Sequence, residues 1–492
     1  MAPEGRFSWS EFADRVRRCA TLLVEFGLEP GERFAIIGHN SFRQAELIRA
    51  GYWAGLVPVP INYRLAPPEI AYILDNAECR LVAIEAPFAT IMASEDLAPW
   101  AQRTLSIEPM QYEQRLDSAK IAPMHEPAET DDALLVYTGG TTGRAKGVRL
   151  SHTNILLNAL QIAFVARPRV DDIFLHAAPM FHSADLLATP WMMAGAAHIY
   201  LPEFSGDKAL EAIQEHRVTC CVLTPTMIIM MLQQPDFERY DLGSLRQVIY
   251  GSSPMAVEWI LHAMQGFPGV EFIQAYGLTE TAPLLTMLEM ADHRHALDSG
   301  DHRLLQSVGR PLPVVDMKIV DGNDRELPPT EPGEIVVRAP NVAKGYLKRP
   351  QATAEAFRDG WFYTGDIGRM DEHGYLYLLD RKKDLIITGG ELVYSLEVES
   401  ALYRNPKVRE CAVVGIPDEA FGEALLAAIV PAAGESPTAE ELIEHCRAHI
   451  GGYKIPRRYV FLDELPKSAV NKVLKHELRR IYSTSSSAGE TT

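Results

Sequence analysis

Between Arg33 and about Asp380, short β-rich runs alternate with stretches of helical apolar spacing, and that alternation leaves few folds open. The runs are Phe34-Ala35-Ile36-Ile37, Leu81-Val82-Ala83-Ile84, Cys220-Cys221-Val222-Leu223 and Gln247-Val248-Ile249-Tyr250. They predict a layered α/β architecture with largely parallel sheets. Several end in turn-formers beside polar residues, as at Gly38-His39-Asn40 and Gly251-Ser252-Ser253-Pro254. Ligands of such folds collect at the carboxyl ends of strands. The chain has 492 residues, 47% of them hydrophobic, which is too long for one core and predicts about two to four globular units.

One stretch concentrates phosphate-binding chemistry: Tyr137-Thr138-Gly139-Gly140-Thr141-Thr142-Gly143-Arg144-Ala145-Lys146-Gly147. Ala133-Leu134-Leu135-Val136-Tyr137 ahead of it reads as a buried strand, and Ser151-His152-Thr153-Asn154 after it as a helix start. The loop is therefore expected between a strand and a helix. Its glycines let backbone N–H groups turn toward an anion, while the Thr hydroxyls and Lys146 add donors and charge. It is not a Walker loop, since GxxxxGK[ST] fits in no register. On composition alone a Gly/Thr-rich surface turn is the alternative.

The order T-G-G-T-T-G-x-x-K-G resembles the signature of the adenylate-forming, AMP-binding family, which includes acyl- and aryl-CoA synthetases, luciferases and adenylation domains of peptide synthetases. Ala145 stands where many members carry Pro. Gln274-Ala275-Tyr276-Gly277-Leu278-Thr279-Glu280-Thr281 resembles a second signature, with Ala275 in place of the usual Gly. The resemblance implies that Tyr276 stacks on adenine, that Thr279 bonds the α-phosphate, and that Glu280 holds Mg²⁺, an ion suited to one carboxylate plus phosphate oxygens and water. Trp361-Phe362-Tyr363-Thr364-Gly365-Asp366-Ile367-Gly368 resembles a third, in which Asp366 accepts from the ribose hydroxyls and Arg381 joins it. Leu465-Pro466-Lys467-Ser468-Ala469-Val470-Asn471-Lys472 resembles the catalytic-lysine segment, with Asn471 where Gly is usual. It makes Lys472 the catalytic cation that neutralises charge as pyrophosphate leaves.

The same resemblance builds an acyl pocket from Phe181, His182, Gly251, Ser252 and Gly277. Ser252 and Ser253 also wall the adenine site, and His182 takes part in handling the acid. Without the family, His182 reads as a satisfied core histidine and Glu280 as an acid near a helix start. Ile387-Thr388-Gly389-Gly390-Glu391 resembles the loop lining a pantetheine tunnel, where Gly389 and Gly390 let the thiol arm of coenzyme A pass. Leu392 and Leu396 depart from that pattern, standing where Asn and Pro are typical.

Asp380-Arg381-Lys382-Lys383-Asp384 is a dense charge cluster between two apolar runs. By composition it reads as an exposed turn; by resemblance it is the hinge between a large and a small domain. The expected organisation is an ATP- and acyl-substrate-binding domain over 1–380 and a hinge over 381–384 with Lys383 as pivot. A mobile α+β lobe over 385–480 and a disordered tail over 481–492 complete it.

A net charge of −18 argues against general nucleic-acid binding. Cys19, Cys79, Cys220, Cys221, Cys411 and Cys446 show no CxxC pair and no metal-ligand spacing, so buried structural thiols are expected. The amino terminus lacks a signal-like pattern and no run of 18 apolar residues occurs, which reads as a cytoplasmic protein with no transmembrane segment. A homodimer stays open. The function implied by the resemblance is that of an AMP-forming carboxylate–CoA ligase for an aryl or fatty acid, using ATP, Mg²⁺ and coenzyme A. An adenylating enzyme with another acceptor, or a catalytically silent nucleotide-binding protein, are the alternatives.

Overall fold

The computed structural model describes residues 5–140, 143–467 and 473–483. The four apolar runs are strands, at Arg33–Ile37, Leu81–Ile84, Cys220–Leu223 and Gln247–Gly251. They fall into two sheets. The first is parallel throughout, in the order Val57–Ile61, Arg33–Ile37, Leu81–Ile84, Thr104–Ser106. The second runs Ala197–Tyr200, Ile173–His176, Cys220–Leu223, Gln247–Gly251, Glu271–Tyr276 in parallel, then adds two short antiparallel strands, Thr286–Leu288 and Arg310–Pro311. Both faces of these strands are covered by helices, which is why they are apolar without alternation. The Met-rich run at 226–232 lies in one of those helices, Pro225–Leu232, whose Met227, Ile228 and Met231 pack into the core with Val248 and Phe272.

In the large domain parallel pairing ends with Glu271–Tyr276, short of the Asp380 expected. Asp316–Val320, Gly333–Arg338, Trp361–Met370 and Leu376–Arg381 form an antiparallel sheet. For the last pair the cause is connection length. Trp361–Met370 and Leu376–Arg381 are joined by a tight turn at 371–375, closed by Gly374 N–H donating to the Asp371 carbonyl, whereas a parallel return needs a dozen or more residues.

A small lobe comes next, with a sheet and core of its own. Its strands are ordered Glu391–Val393, Ile386–Thr388, Gly422–Pro431, Val408–Asp418, with Arg458–Phe461 parallel to Gly422–Pro431. Val398, Leu402, Val413, Leu425, Ile429 and Leu442 fill it. The chain is thus a mixed α/β fold with a large amino-terminal and a small carboxyl-terminal domain. The final helix, Lys475–Ser483, continues past the expected end of the lobe at 480; the tail beyond it lies outside the described residues. All six cysteines are buried and free. No helix among the described residues is long and apolar enough to cross a membrane.

Candidate active site

The glycine-rich segment is the end of a hairpin. Asp132–Gly140 pairs antiparallel with Gly143–Ser151, with Tyr137 opposite Gly147 and Thr138 opposite Lys146. The loop therefore joins two strands, contrary to the strand-to-helix junction expected. Helix His152–Ala166 begins only after the second strand, capped by Ser151. The second strand exists because Val148 and Leu150 are buried on one face while Arg149 points away, the period-two pattern of a half-buried strand. Thr141 and Thr142 lie outside the described residues, as does Lys472.

The segment 343–347 lies alongside that second strand. Arg149 N–H donates to the Gly345 carbonyl and Leu347 N–H to the Gly147 carbonyl, with an antiparallel bridge between Val148 and Tyr346. This docking brings the Lys146 ammonium 4.7 Å from the centre of the Tyr346 ring. The Tyr346 hydroxyl in turn donates to Glu280 Oε1 at 2.9 Å. Burial, and then the Glu280 carboxylate, push that hydroxyl above its ordinary pKa, so it stays protonated and can keep donating. Lys146 and Glu280, expected on phosphate and metal, are thus joined through one aromatic ring. The sequence reading missed Tyr346; a lone Gly-Tyr pair in a polar loop carries too little signal to single it out.

Tyr276 ends the strand Glu271–Tyr276, beside Gly251 at the end of its parallel neighbour. Its hydroxyl donates to Asp366 Oδ2 at 2.8 Å, and Arg381 Nε lies 3.3 Å from Asp366 Oδ1. Burial and the Asp366 charge hold the Tyr276 hydroxyl well above its ordinary pKa. Tyr276, Asp366 and Arg381 therefore converge. Thr279 and Ser183 are both buried and share a hydrogen bond at 3.1 Å, tying Thr279 to the segment that carries Phe181 and His182.

That segment leaves the strand Ile173–His176 and is clamped by Asn40. Its Nδ2 donates to the carbonyls of His176 and Ala178, at 3.3 and 2.9 Å, and its Oδ1 accepts from Met180 N–H at 2.8 Å. His176 pairs with Asp185 at 2.7 Å and with His198 at 2.8 Å on its two ring nitrogens. Phe181 is buried and meets Tyr63 edge-on at 5.7 Å, while His182 is half-buried. Behind them lies a cavity of about 20 Å³ lined by Arg49, Tyr52 and Asp185, room for one water and too small for an acid.

The small residues have local causes. A Cβ on Gly251 would lie 2.1 Å from the Ala275 carbonyl oxygen, and one on Gly277 would lie 2.1 Å from that of Pro283, so both glycines are fixed by backbone packing at the strand ends. Ser252 takes φ of 72° and is exposed, with Ser253 half-buried after it. Gly389 and Gly390 have φ of 60° and 84° and form the two-residue turn between Ile386–Thr388 and Glu391–Val393, the geometry of a tight hairpin in which both central residues are left-handed.

The hinge cluster is a turn over 382–384 whose cations Arg381, Lys382 and Lys383 are exposed, as its composition suggests, while its two acids are not. Asp380 and Asp384 are buried, and Lys383, though exposed at the surface, is held below its ordinary pKa by partial desolvation and then by Arg381.

A family model described as AMP-binding enzyme matches residues 2–347, and one described as AMP-binding enzyme C-terminal domain matches residues 397–472. The chain is 37% identical over 478 residues to a feruloyl-CoA synthase of Amycolatopsis sp, covering 96% of this chain and 94% of the relative. It is 35% identical to the fatty acid–[acyl-carrier-protein] ligase ScoC of Streptomyces coeruleorubidus, covering 97% and 92%. Among solved structures, ATP-bound MatB from Rhodopseudomonas palustris aligns with TM-score 0.89 at 32% identity, covering 98% of this chain and 95% of MatB. The apo form of MatB aligns with TM-score 0.79 at the same identity and coverage.

Proposed function

Because the chain belongs to the AMP-binding enzyme family, we propose that it is an AMP-forming carboxylate–CoA ligase acting on an aryl or fatty acid. The carrying observation is the convergence of Tyr276, Asp366 and Arg381 beside the Lys146–Tyr346–Glu280 arrangement. These are adenosine and phosphate chemistries gathered where the carboxyl end of the parallel strand Glu271–Tyr276 meets the antiparallel sheet and the glycine-rich hairpin. In this reading a carboxylate and ATP give an acyl-adenylate and pyrophosphate, and the thiol of coenzyme A then displaces AMP.

Asp366 accepts the ribose diol, its two oxygens matching two adjacent donors, while Arg381 offsets its charge. Thr279 and Lys146 donate to phosphate oxygens, and Lys472 supplies the cation that offsets charge on the departing pyrophosphate. Glu280 suits Mg²⁺: it is half-buried, one carboxylate oxygen is held by Tyr346, and the ion favours a single carboxylate plus phosphate oxygens and water. When bound, the ion withdraws charge from the phosphates. His182 and Phe181 border the entering acid, and the small lobe turns about Lys383 to bring Gly389 and Gly390 to the site for the second step.

A second reading, transfer to an acceptor other than coenzyme A, draws on Leu392 and Leu396 and on the likeness to ScoC. One assay separates the two: AMP release from ATP over a panel of aromatic, medium-chain and long-chain acids, each with and without coenzyme A. Acid-dependent AMP that accumulates only with coenzyme A supports the ligase; acid-dependent pyrophosphate with no effect of coenzyme A supports another acceptor. Silence across the panel favours the catalytically silent nucleotide-binding protein or an acid outside the panel.

A further inference from the structure

The charge cluster between the domains divides its partners by side. Arg381 and Lys382 turn to the large domain, meeting Asp366 at 3.3 Å and Glu334 at 2.8 Å. Asp384 turns to the lobe, where Arg479 donates to its Oδ1 at 2.8 Å. A pivot at Lys383 fits this division, since the residues before it travel with one body and the residues after it with the other.

Asp380 breaks the pattern. It lies in the strand Leu376–Arg381, paired with Ile367 in the large-domain sheet, yet its Oδ2 accepts from Ser395 backbone N–H at 2.5 Å and from Ser395 Oγ at 2.7 Å. Ser395 opens the lobe helix Ser395–Tyr403. The carboxylate therefore rests on a helix amino terminus, where free N–H groups and the helix dipole favour an anion. Behind it, Lys475 donates to Ser395 Oγ at 2.5 Å and pairs with Glu399 at 2.7 Å. Asp380 is 4% exposed, Ser395 0% and Glu399 8%, so water does not replace these bonds while the contact holds. Lys475 also opens the last helix, three residues after Lys472.

A large rotation about Lys383 carries Ser395 away from Asp380, and hydrogen bonds of this length do not survive such a shift. The chain superposes on MatB with TM-score 0.89 for the ATP-bound form and 0.79 for the apo form, at equal identity and coverage. Its arrangement of parts is thus nearer the ATP-bound one. We propose that Asp380 is a positioning residue which, with Ser395 and Lys475, latches the lobe in the orientation that serves adenylation and must release before thioester formation. The assignment to half-reactions rests on the ligase reading; the latch itself does not.

The test compares wild type with Asp380→Asn and the milder Ser395→Ala, which keeps the backbone bond and removes the hydroxyl bridge. Acid-dependent ATP–pyrophosphate exchange reads the first half-reaction, and thioester formation from supplied acyl-adenylate and coenzyme A reads the second. Lobe orientation is read by energy transfer between dyes on D298C and E435C, both exposed positions, the native cysteines being buried. Expected for Asp380→Asn is a fall in exchange on the order of tenfold, an undiminished second half-reaction and a shifted distance distribution, with Ser395→Ala moving the same way by less. Equal losses in both half-reactions, or an unmoved distance distribution in both variants, overturns the latch. If wild type exchanges pyrophosphate with no acid, the ligase reading falls alone, and the distance distributions still decide the latch.

Discussion

The Tyr276 hydroxyl reaches across the domain to donate to the Asp366 carboxylate at 2.8 Å, joining the end of a parallel strand to the middle of an antiparallel one. The bond sits in a buried setting, with Tyr276 8% and Asp366 6% exposed. Tyr276→Phe removes the donor and leaves a buried charged acceptor one partner short. The expected loss of stability is about 1–3 kcal/mol, read by urea unfolding, with a rise in the KM for ATP. Wild-type values for both would show that the pair does not order the site.

Lys472→Ala is expected to abolish acyl-adenylate formation while sparing thioester formation from supplied adenylate. Half-reaction assays decide it, and equal loss in both would contradict the role given to Lys472.

Gly390 takes φ of 84° and a Cβ there meets nothing within 4 Å, so the obstacle to a side chain is backbone conformation. Gly390→Leu should cost about 1–2 kcal/mol of lobe stability and slow the thiol step with adenylation retained. Gly390→Asn tolerates the left-handed region better and should recover most of the stability. A thioester rate untouched by Gly390→Leu would remove this turn from the path of the thiol.

His182→Ala should change the order of preference among acids more than the KM for ATP, because His182 lies in the Asn40-clamped segment with Phe181 and not beside Asp366. Initial rates over the acid panel measure it; a uniform fall for every acid, with ATP binding weakened, would place the ring elsewhere.

His293 is buried, with Tyr250 and the Glu289 carbonyl on its two ring nitrogens, and burial pushes its pKa down to about 4. The unfolded chain takes up this proton near pH 6.5 while the folded chain resists until about 4. Its neutral form therefore adds full stability above pH 6.5, and that contribution drains away as pH falls toward 4, by up to about 3 kcal/mol. Unfolding free energies from pH 7 to 4 should show this slope in wild type and lose part of it in His293→Gln. Parallel curves would mean the group titrates alike in both states.

Much of the architecture was readable because strands buried on both faces announce themselves as short apolar runs: Phe34 to Ile37 and Gln247 to Tyr250 lie in strands one residue longer than the runs. The hairpin partner of the glycine-rich loop was not, although Val148, Arg149 and Leu150 alternate, because glycine and lysine at its start imitate an irregular loop. The antiparallel sheet after residue 316 was hidden because apolar content does not state the direction of pairing; only the short link between Trp361–Met370 and Leu376–Arg381 does. Of the site, Tyr276, Asp366 and Arg381 were nameable from their motifs and lie together. Tyr346 and Asn40 were not, for each acts through one or two hydrogen bonds to residues far off in sequence, which leave no local pattern. Asp380 looked like one more surface charge until its burial against a helix end was visible.

A glycine-rich tip carried by two strands has a further consequence. Loops that open directly onto a helix lend a bound anion the field of that helix, a contribution fixed in the backbone. Here the glycine-rich segment lies between the strands Asp132–Gly140 and Gly143–Ser151, and the helix His152–Ala166 begins only after the second, so the hold on phosphate proposed for it lacks that field and leans on side-chain charge beside the glycine N–H groups, with Lys146 foremost. Half-exposed charges are shielded by dissolved ions within about 8–10 Å, and hold on the triphosphate should therefore weaken with rising ionic strength more steeply than in proteins that grip phosphate with a helix end.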